Sequence, residues 1–341
     1  MRVNVSWKVV AGASLVLLST ILAILLYWPR YFSAGTYRLE VSPGAGVASV
    51  GNQLKRAGVI QSVWGFRLLS KLQGLERSLR PGFFYFKSPI SLWQVEAVLG
   101  QPPKRVTLTF IEGWSYGQVK QLIDTHPGIK HTTLNWSEAE LLNSIAKGKD
   151  YHSMEGLLSP DSFYFYEGTP DRQVYQKAYE LMQKELQQAW ESRDKDLPYH
   201  TPYELLIMAS LIEKETANAE DRPLVAAVLV NRLKKGTRLQ TDPTVIYGAG
   251  KSFQAPITQT DLKMNNQYNT YTRIGLPPTP IANPSRASLQ AAAHPAPVDY
   301  NYFVSRGDHS GKSQFSRSLA EHLEAVKAYR IRKLMGAEIR E

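Results

Sequence analysis

The sequence contains no cysteine. This absence excludes structural disulfides, thiolate metal sites and a thiol nucleophile. The seven histidines show no H-E-x-x-H or other tight ligand spacing, and the glycines of "PGAGVASVG" miss the G-x-G-x-x-G dinucleotide spacing. We therefore predict that the protein uses neither a metal ion nor another cofactor.

Charged residues are also few, at 21% of 341 residues, whereas 43% are hydrophobic. This balance is typical of a folded protein with a sizeable core and not of a disordered chain. The length suggests two or three domains. The formal net charge of +10 favours anionic partners such as nucleic acid, anionic lipid or an acidic polymer.

One stretch near the amino terminus lacks charge altogether. Residues 9–28, "VVAGASLVLLSTILAILLYW", are about as many as a bilayer-spanning helix requires, and aromatic residues lie at both ends. A cleaved signal peptide is the alternative, but the run ends in "LLYWPRYF", which is a poor cleavage site. We predict an uncleaved single-pass anchor with a short cytoplasmic tail. The remainder then lies outside the inner membrane, which argues against nucleic acid as a partner.

We predict an α+β fold, and changes in composition along the sequence divide the chain into four parts. The predicted parts are a tail and transmembrane helix (1–29), a linker (30–40), a small α/β subdomain (41–101) and a larger mixed α+β domain (102–341). "GQPPK" marks the last boundary. Residues 237–300 are rich in Thr, Pro, Asn and Tyr with little periodicity, and long irregular stretches of this kind are typical of functional loops.

The stretch "GWSYG" matches the G-x-S-x-G nucleophile elbow of a hydrolase at Ser115. The same serine followed by Gln118 also forms the capping box S-x-x-Q at the start of a helix. No oxyanion loop such as HGGG accompanies the motif. We therefore favour the structural interpretation of Ser115.

The stretch "ASLIEKETAN", residues 209–218, contains two glutamates on a predicted helix. We start the helix at Leu205 and advance about 100° per residue. Glu215 then falls inside the apolar sector, and Glu213 lies outside it, about 200° from Glu215. A carboxyl on an apolar face has a raised pKa, so it stays protonated near neutral pH, as a general acid must. We predict Glu215 as that acid. The alternative is a solvated charge at an open helix end, and Glu213 is expected to be structural or supporting, with an arginine or lysine as its partner.

Two loops supply groups suited to a sugar. "LQTDPTVIYG" and "YNTYTRIGLPPTPIANPS" contain amides, hydroxyls and tyrosines between rigid proline turns. Sugar-binding clefts use such planar amides, hydroxyls and aromatic faces. The same composition also suits a well-ordered structural loop.

Five motifs in the same order carry a resemblance to a known family: "SLIEKETA", "VNRLKKGTRLQTDPTVIYG", "YNTYTRIGLPPTPIANPS", "AAAHPA" and "YFVS". Together they resemble the YceG-like family, the endolytic murein transglycosylases of the MltG type, over nearly the whole chain. The chain departs from the family pattern at "SPDS" (159–162), at Thr279 and Ser285, where glycines are usual, and at Gln314. These departures concern the edge of the cleft and leave Glu215 untouched.

The resemblance implies a periplasmic enzyme on the inner membrane. It would cleave peptidoglycan glycan strands between N-acetylmuramic acid and N-acetylglucosamine, leave a 1,6-anhydro end and so terminate elongation of nascent strands. The family's catalytic glutamate, the second of the E-K-E triplet, maps onto Glu215, and the small subdomain would be LysM-like. The implied partners are glycan strands, inner-membrane lipid and peptidoglycan synthases (penicillin-binding proteins).

The expected mechanism needs one acid and an attack by the substrate's own C6 hydroxyl, so the absence of an obvious second carboxylate in the sequence agrees with it. Two other classes remain open: a muramidase that uses water, and a catalytically silent peptidoglycan-binding scaffold. Asp242 before Pro243 is also typical of a turn. The candidate substrate-binding residues are Gln240, Asp242, Tyr247, Tyr268, Asn269 and Tyr271.

Overall fold

The computed structural model of the chain describes residues 7–253, 255–308 and 310–338, so the predicted cytoplasmic tail falls largely outside the described residues. The described strands pair only two at a time, and helices form most of the structure. The predicted mixture of helix and strand is confirmed. The chain packs as two compact units, an amino-terminal unit (residues 1–107, 127–130 and 164–169) and a carboxy-terminal unit that contains the rest.

Helix α1 (Trp7–Tyr27) contains the uncharged run. Its segment Val10–Tyr27 has a mean hydropathy of 2.3, and none of that segment is buried by the rest of the protein. The helix is therefore long and apolar enough to cross a membrane, and an anchor and a signal sequence both fit it.

The remainder of the amino-terminal unit is built on one antiparallel strand pair. Its elements are β1 (Thr36–Val41), α2 (Val47–Arg56), α3 (Val63–Gln73), α4 (Leu75–Ser78), β2 (Gly82–Lys87) and α5 (Leu92–Gly100). Thr36 of β1 lies opposite Lys87 of β2, and Val41 lies opposite Gly82. Because the side chains of a strand alternate between faces, Leu39 and Val41 enter the core while their neighbours face outward.

The predicted linker of residues 30–40 is therefore wrong in its second half. Residues 36–40 belong to β1, and Leu39 is fully buried in the same core as Leu54 and Phe66. The strand was missed because only two of its apolar residues face inward, which is too short a pattern to recognise.

Two further strand pairs are short. They join β3 (Arg105–Thr109) to β5 (Ser162–Tyr166) and β4 (Ile129–Lys130) to β6 (Thr169–Pro170).

The carboxy-terminal unit is mainly helical. Its elements are α6 (Tyr116–Thr125), α7 (Glu138–Ile145), α8 (Asp171–Ser192), α9 (Pro202–Glu215), α10 (Arg222–Lys234), α11 (Asp242–Gly248), α12 (Gln259–Lys263), α13 (Arg286–Ala293), the antiparallel pair β7 (Tyr302–Ser305) and β8 (Ser313–Ser316), and α14 (Leu319–Glu338). Helix α9 is the central element, with α8, α10, α11 and α13 packed against it.

Residues 237–300, predicted as irregular loops, contain three short helices, α11, α12 and α13. Each has eight residues or fewer, so no apolar repeat could develop. The amino end of α13 is capped by Ser285, whose hydroxyl accepts from the Ser288 amide at 3.2 Å.

Candidate active site

Helix α9 presents both glutamates at its carboxyl end. It begins after Thr201, whose hydroxyl accepts from the Glu204 amide at 3.2 Å, and Pro202 occupies its first position. Every residue from Leu205 to Ile212 is buried. The predicted single apolar sector is therefore wrong, since the middle of the helix is buried on all sides and only its two ends are partly exposed.

Glu213 is bound to the amino end of α13. Its Oε2 accepts from the Ser285 amide at 2.9 Å, from the Ser285 hydroxyl at 2.5 Å and from the Ser288 hydroxyl at 2.7 Å. A carboxylate is favourable there because the amides at a helix start carry partial positive charge. The prediction of an arginine or lysine partner is wrong, because the residues bonded to Glu213 are serines. The predicted supporting role agrees with these contacts.

Glu215 has a different environment. It ends α9 and is only partly exposed, and within the described residues its carboxyl has no hydrogen bond and no ion pair. Desolvation by the surrounding protein, with a smaller effect from the charge of Asp242, raises its pKa to about 8, although Arg232 acts in the opposite direction. The carboxyl is therefore protonated at neutral pH.

Asp242 supplies a second carboxylate near Glu215. It is exposed at the start of α11, and the Tyr271 hydroxyl donates to its Oδ1 at 2.5 Å. Burial, and then the neighbouring Asp242, raise the pKa of Tyr271. The expectation that no second carboxylate would accompany Glu215 is thus wrong, because residues 27 positions apart in sequence meet where α11 packs against α9.

Arg232, on α10, was not predicted to belong to the site. Its guanidinium donates to the carbonyls of Asn301 at 2.7 Å and Leu239 at 2.6 Å and lies over the Tyr302 ring, 5.2 Å from its centroid. It is close enough to Glu215 for each to influence the other's pKa. The only sequence signal was its place in "VNRLKKG", which indicates an ordinary basic helix end.

Gln240 has an unusual backbone. Among the described residues it is the only non-glycine residue with a positive φ, which is 50°. Its amide donates to the Thr270 carbonyl at 3.1 Å, and the Thr244 and Thr270 hydroxyls are 2.8 Å apart. Such a left-handed conformation costs free energy and is often retained at functional sites. Its side-chain oxygen lies 3.5 Å from an Arg232 nitrogen.

Tyr247 and Tyr268 form an aromatic pair next to a third carboxyl. Their rings meet edge to face at 4.9 Å, and the Tyr268 hydroxyl lies 3.0 Å from that of Thr279. Tyr247 donates to Oε2 of Glu155 at 3.3 Å, while the Tyr116 amide donates to Oε1 at 2.9 Å. Burial raises the pKa of Glu155 to about 7. Glu155 carried no motif in the sequence that could have identified it.

Asn269 lies in the same loop, but its amide is occupied. Its nitrogen donates to the carbonyls of Asp261, Leu262 and Met264, at 3.2, 3.2 and 2.8 Å. Its oxygen accepts from the Tyr271 amide at 2.9 Å, and the residue is 1% exposed. These contacts give Asn269 the role of holding the loop that carries Tyr268 and Tyr271.

Ser115 caps α6 through the predicted box. Its hydroxyl accepts from the Gln118 amide at 3.3 Å, and its own amide donates to the Gln118 side chain at 3.0 Å. The structural interpretation of "GWSYG" is confirmed. In the described part of the chain, no group of three or more His, Asp or Glu side chains is arranged to hold a metal ion.

Comparison with known proteins identifies the family. The model of the YceG-like family matches residues 39–328, most of the chain, so the chain belongs to the YceG-like family.

Relatives with assigned names agree. The chain is 30% identical over 315 residues to an endolytic murein transglycosylase of Bacillus subtilis, covering 87% of this chain and 86% of that protein. It is 26% identical over 324 residues to an endolytic murein transglycosylase of Streptococcus pneumoniae, covering 84% of this chain and 58% of that longer protein. A 2.6 Å crystal structure of a YceG-like protein from Listeria monocytogenes superposes with a TM-score of 0.54 and 25% identity, covering 85% of this chain and 98% of that one.

Proposed function

We propose that this protein is an endolytic murein transglycosylase that cleaves peptidoglycan glycan strands between N-acetylmuramic acid and N-acetylglucosamine. The observation that carries the proposal is the Glu215 carboxyl, which has no hydrogen-bonding partner among the described residues and a pKa raised to about 8. A carboxyl in this state can donate a proton at neutral pH. The names of the relatives support the choice of substrate.

Glu215 acts as general acid and then as general base. It protonates the glycosidic oxygen that leaves with N-acetylglucosamine while the bond to C1 of muramic acid breaks. The C6 hydroxyl of the same muramic acid attacks C1, closes the 1,6-anhydro ring and returns its proton to the Glu215 carboxylate. The enzyme is regenerated and no water is consumed, and general acid–base catalysis of this kind contributes about 10² to 10⁴ in rate.

The groups around Glu215 hold the substrate in this proposal. Tyr271 and Asp242, joined by their hydrogen bond, lie next to the acid, and Gln240 borders the same region beside Arg232. Tyr247 and Tyr268 offer aromatic faces for a sugar ring. Asn269 supports the loop from inside and does not contact the substrate.

A water-using muramidase is the second candidate, and the position of Asp242 favours it. Ordinary glycoside hydrolysis uses two carboxyl groups, one as acid and one as base or nucleophile. The negative charge of Asp242 is close enough to affect Glu215, and Asp242 itself is exposed.

Product analysis decides between the two reactions. The full chain is incubated with glycan strands, and the new ends are analysed by mass spectrometry. We expect ends lighter by one water than a reducing end, and we expect Glu215→Gln to abolish their release. If the wild-type chain produces reducing ends instead, the enzyme is a muramidase. If a folded Glu215→Gln variant releases anhydro ends as fast as the wild type, Glu215 is not part of the mechanism. Glu213→Gln removes a charge two residues away and is the matched control.

The setting of the enzyme is part of the proposal. Helix α1 anchors the protein in the inner membrane, with the chain that follows it in the periplasm, and the strand pair and helices from β1 to α5 serve as a LysM-like grip on glycan. Cleavage next to the membrane would terminate elongation of nascent strands made by peptidoglycan synthases. The exposed apolar surface of α1 supports the anchor.

A further inference from the structure

A basic pocket of about 470 Å³ lies beside the candidate active site in the carboxy-terminal unit. We define it by six of its wall residues, which are charged, aromatic or amide side chains: Arg232, Lys235, Arg238, Gln240, Tyr302 and Arg317. Four of its wall residues are cationic, and no wall residue is acidic.

The cationic side chains of the pocket donate hydrogen bonds to neutral oxygens more often than to carboxylates. Arg232 donates to two backbone carbonyls, and Lys235 donates to the side-chain oxygen of Asn301 at 2.7 Å. Among the described residues, Arg317 alone of these four forms an ion pair, with Asp299 at 2.6 Å, and that carboxylate also acts on Lys235. Arg238 is exposed. Positive charge is therefore in excess within the pocket, and an anion can compensate it.

The pocket is adjacent to Glu215. Arg232 belongs to its wall and also interacts electrostatically with the Glu215 carboxyl. Gln240, with its positive φ, belongs to the wall and precedes Asp242 by only two residues. A substrate whose bond is cleaved at Glu215 would therefore bring the groups on the neighbouring sugar within reach of the pocket.

We propose that this basic pocket binds a carboxylate of the peptide attached to muramic acid next to the cleaved bond. The inference rests on the proposed function. A glycan strand stripped of its peptides keeps only the lactyl carboxylate of each muramic acid, held close to the sugar ring, whereas each peptide carries free carboxylates farther from the ring. Arginine and lysine bind carboxylates through charge-assisted hydrogen bonds, and the pocket presents both residue types on one wall. The enzyme then distinguishes peptide-bearing from bare glycan.

The test measures binding to the full chain in detergent, with Glu215→Gln in every protein so that no strand is cleaved. The probes are glycan strands with intact peptides and the same strands after an amidase has removed the peptides. We expect the peptide-bearing strands to bind about tenfold more tightly, the range of one charge-assisted hydrogen bond. The double change Lys235→Gln and Arg238→Gln should remove that difference, and added salt should reduce it.

A matched double change keeps the test specific. Lys177→Gln and Lys184→Gln remove the same charge from exposed positions of α8 outside the pocket, and they should leave the tenfold preference intact. Three results would each overturn the proposal. The two kinds of strand could bind equally, the preference for peptide-bearing strands could persist in the pocket variant, or that preference could be lost in the α8 control. If the wild-type chain cleaves both strands equally, the proposed function stands and the pocket proposal fails; if it cleaves neither, the proposed function itself fails.

Discussion

Two carboxyl groups separated by a single residue occupy opposite environments at the end of α9. Glu213 accepts three hydrogen bonds from Ser285 and Ser288 at the start of α13. Glu215 has no such bond among the described residues, and desolvation raises its pKa to about 8. The first carboxylate is fixed by hydrogen bonds, and the second is stabilised as a neutral acid.

In the proposed mechanism, this difference separates a structural carboxylate from a catalytic carboxyl within one helical turn. Hydrogen bonds fix Glu213 and join α9 to α13, so its value lies in stability. An acid that must give and recover a proton cannot be held in its ionised form, so the lack of donors at Glu215 suits catalysis. Natural enzymes often retain such unfavourable groups at the site where they act.

The largest expected effect is loss of activity in Glu215→Gln. The amide cannot donate a proton to the glycosidic oxygen, so strand cleavage should fall by about 10² to 10⁴. The variant should fold, because glutamine is nearly isosteric and no bonded partner among the described residues is lost. Release of anhydro ends measures the rate, and circular dichroism checks the fold. Glu213→Gln should retain much more activity; equal losses in the two variants would show that the comparison fails.

The next effect is the dependence of activity on pH. Because the proposed mechanism needs Glu215 to be protonated before substrate binds, kcat/KM should fall as pH rises through about 8, by about tenfold per pH unit above it. Initial cleavage rates from about pH 4 to about 10, with stability checked at each pH, test this. A decline centred near pH 4.5, the ordinary value for glutamate, would mean that Glu215 is not desolvated in the free enzyme.

The same pKa predicts how stability changes with pH. Folding raises the pKa of Glu215 from 4.5 to about 8, so the folded state holds a proton that the unfolded state has released. This contribution is fully present below pH 4.5 and is lost as pH rises through about 8. Glu155 shifts in the same direction, so the wild type must be compared with Glu215→Gln. The variant should gain stability relative to the wild type across that interval, and a constant difference would contradict the assignment.

The sequence predicted helix α9 correctly, but one reason for proposing Glu215 as its acid was wrong. The helix could be predicted because Thr201, Pro202 and the E-K-E triplet lie within α9 or at its start, and such local signals do not depend on tertiary packing. The apolar sector did not exist, since the middle of α9 is buried on all sides. Glu215 differs from Glu213 because of what lies opposite each residue, and that depends on tertiary packing.

The rest of the site could not be predicted for the same reason. Arg232, Glu155 and the serines that bind Glu213 come from distant parts of the chain, and single-sequence patterns do not report which segments meet. Gln240 has an unusual φ that no property of glutamine suggests. Hydrogen bonds from Gln240, Thr241 and Thr244 to Thr270 join this backbone and the start of α11 to a segment 30 residues away from Gln240 in the sequence.

A smaller effect is expected on stability in Glu213→Gln. The amide oxygen can still accept, but the charge-assisted character of its three hydrogen bonds and the favourable charge at the start of α13 are lost. The free energy of unfolding should fall by about 1–3 kcal/mol. Urea denaturation measures it, with Glu215→Gln at the same pH as the matched control. A loss as large in the control would mean that both carboxyls support the fold.

The smallest expected effect belongs to Ser288→Ala. Its fully buried hydroxyl donates to Glu213 at 2.7 Å, and removing it leaves the carboxylate two donors from Ser285. The free energy of unfolding should fall by about 1 kcal/mol. The cost should be smaller in a Glu213→Gln background, because the bond lost there is already weaker, and the double-mutant cycle measures this coupling directly. An unchanged cost in that background would mean that Ser288 stabilises α13 by itself, and Glu213 would then not owe its fixed position to that hydroxyl.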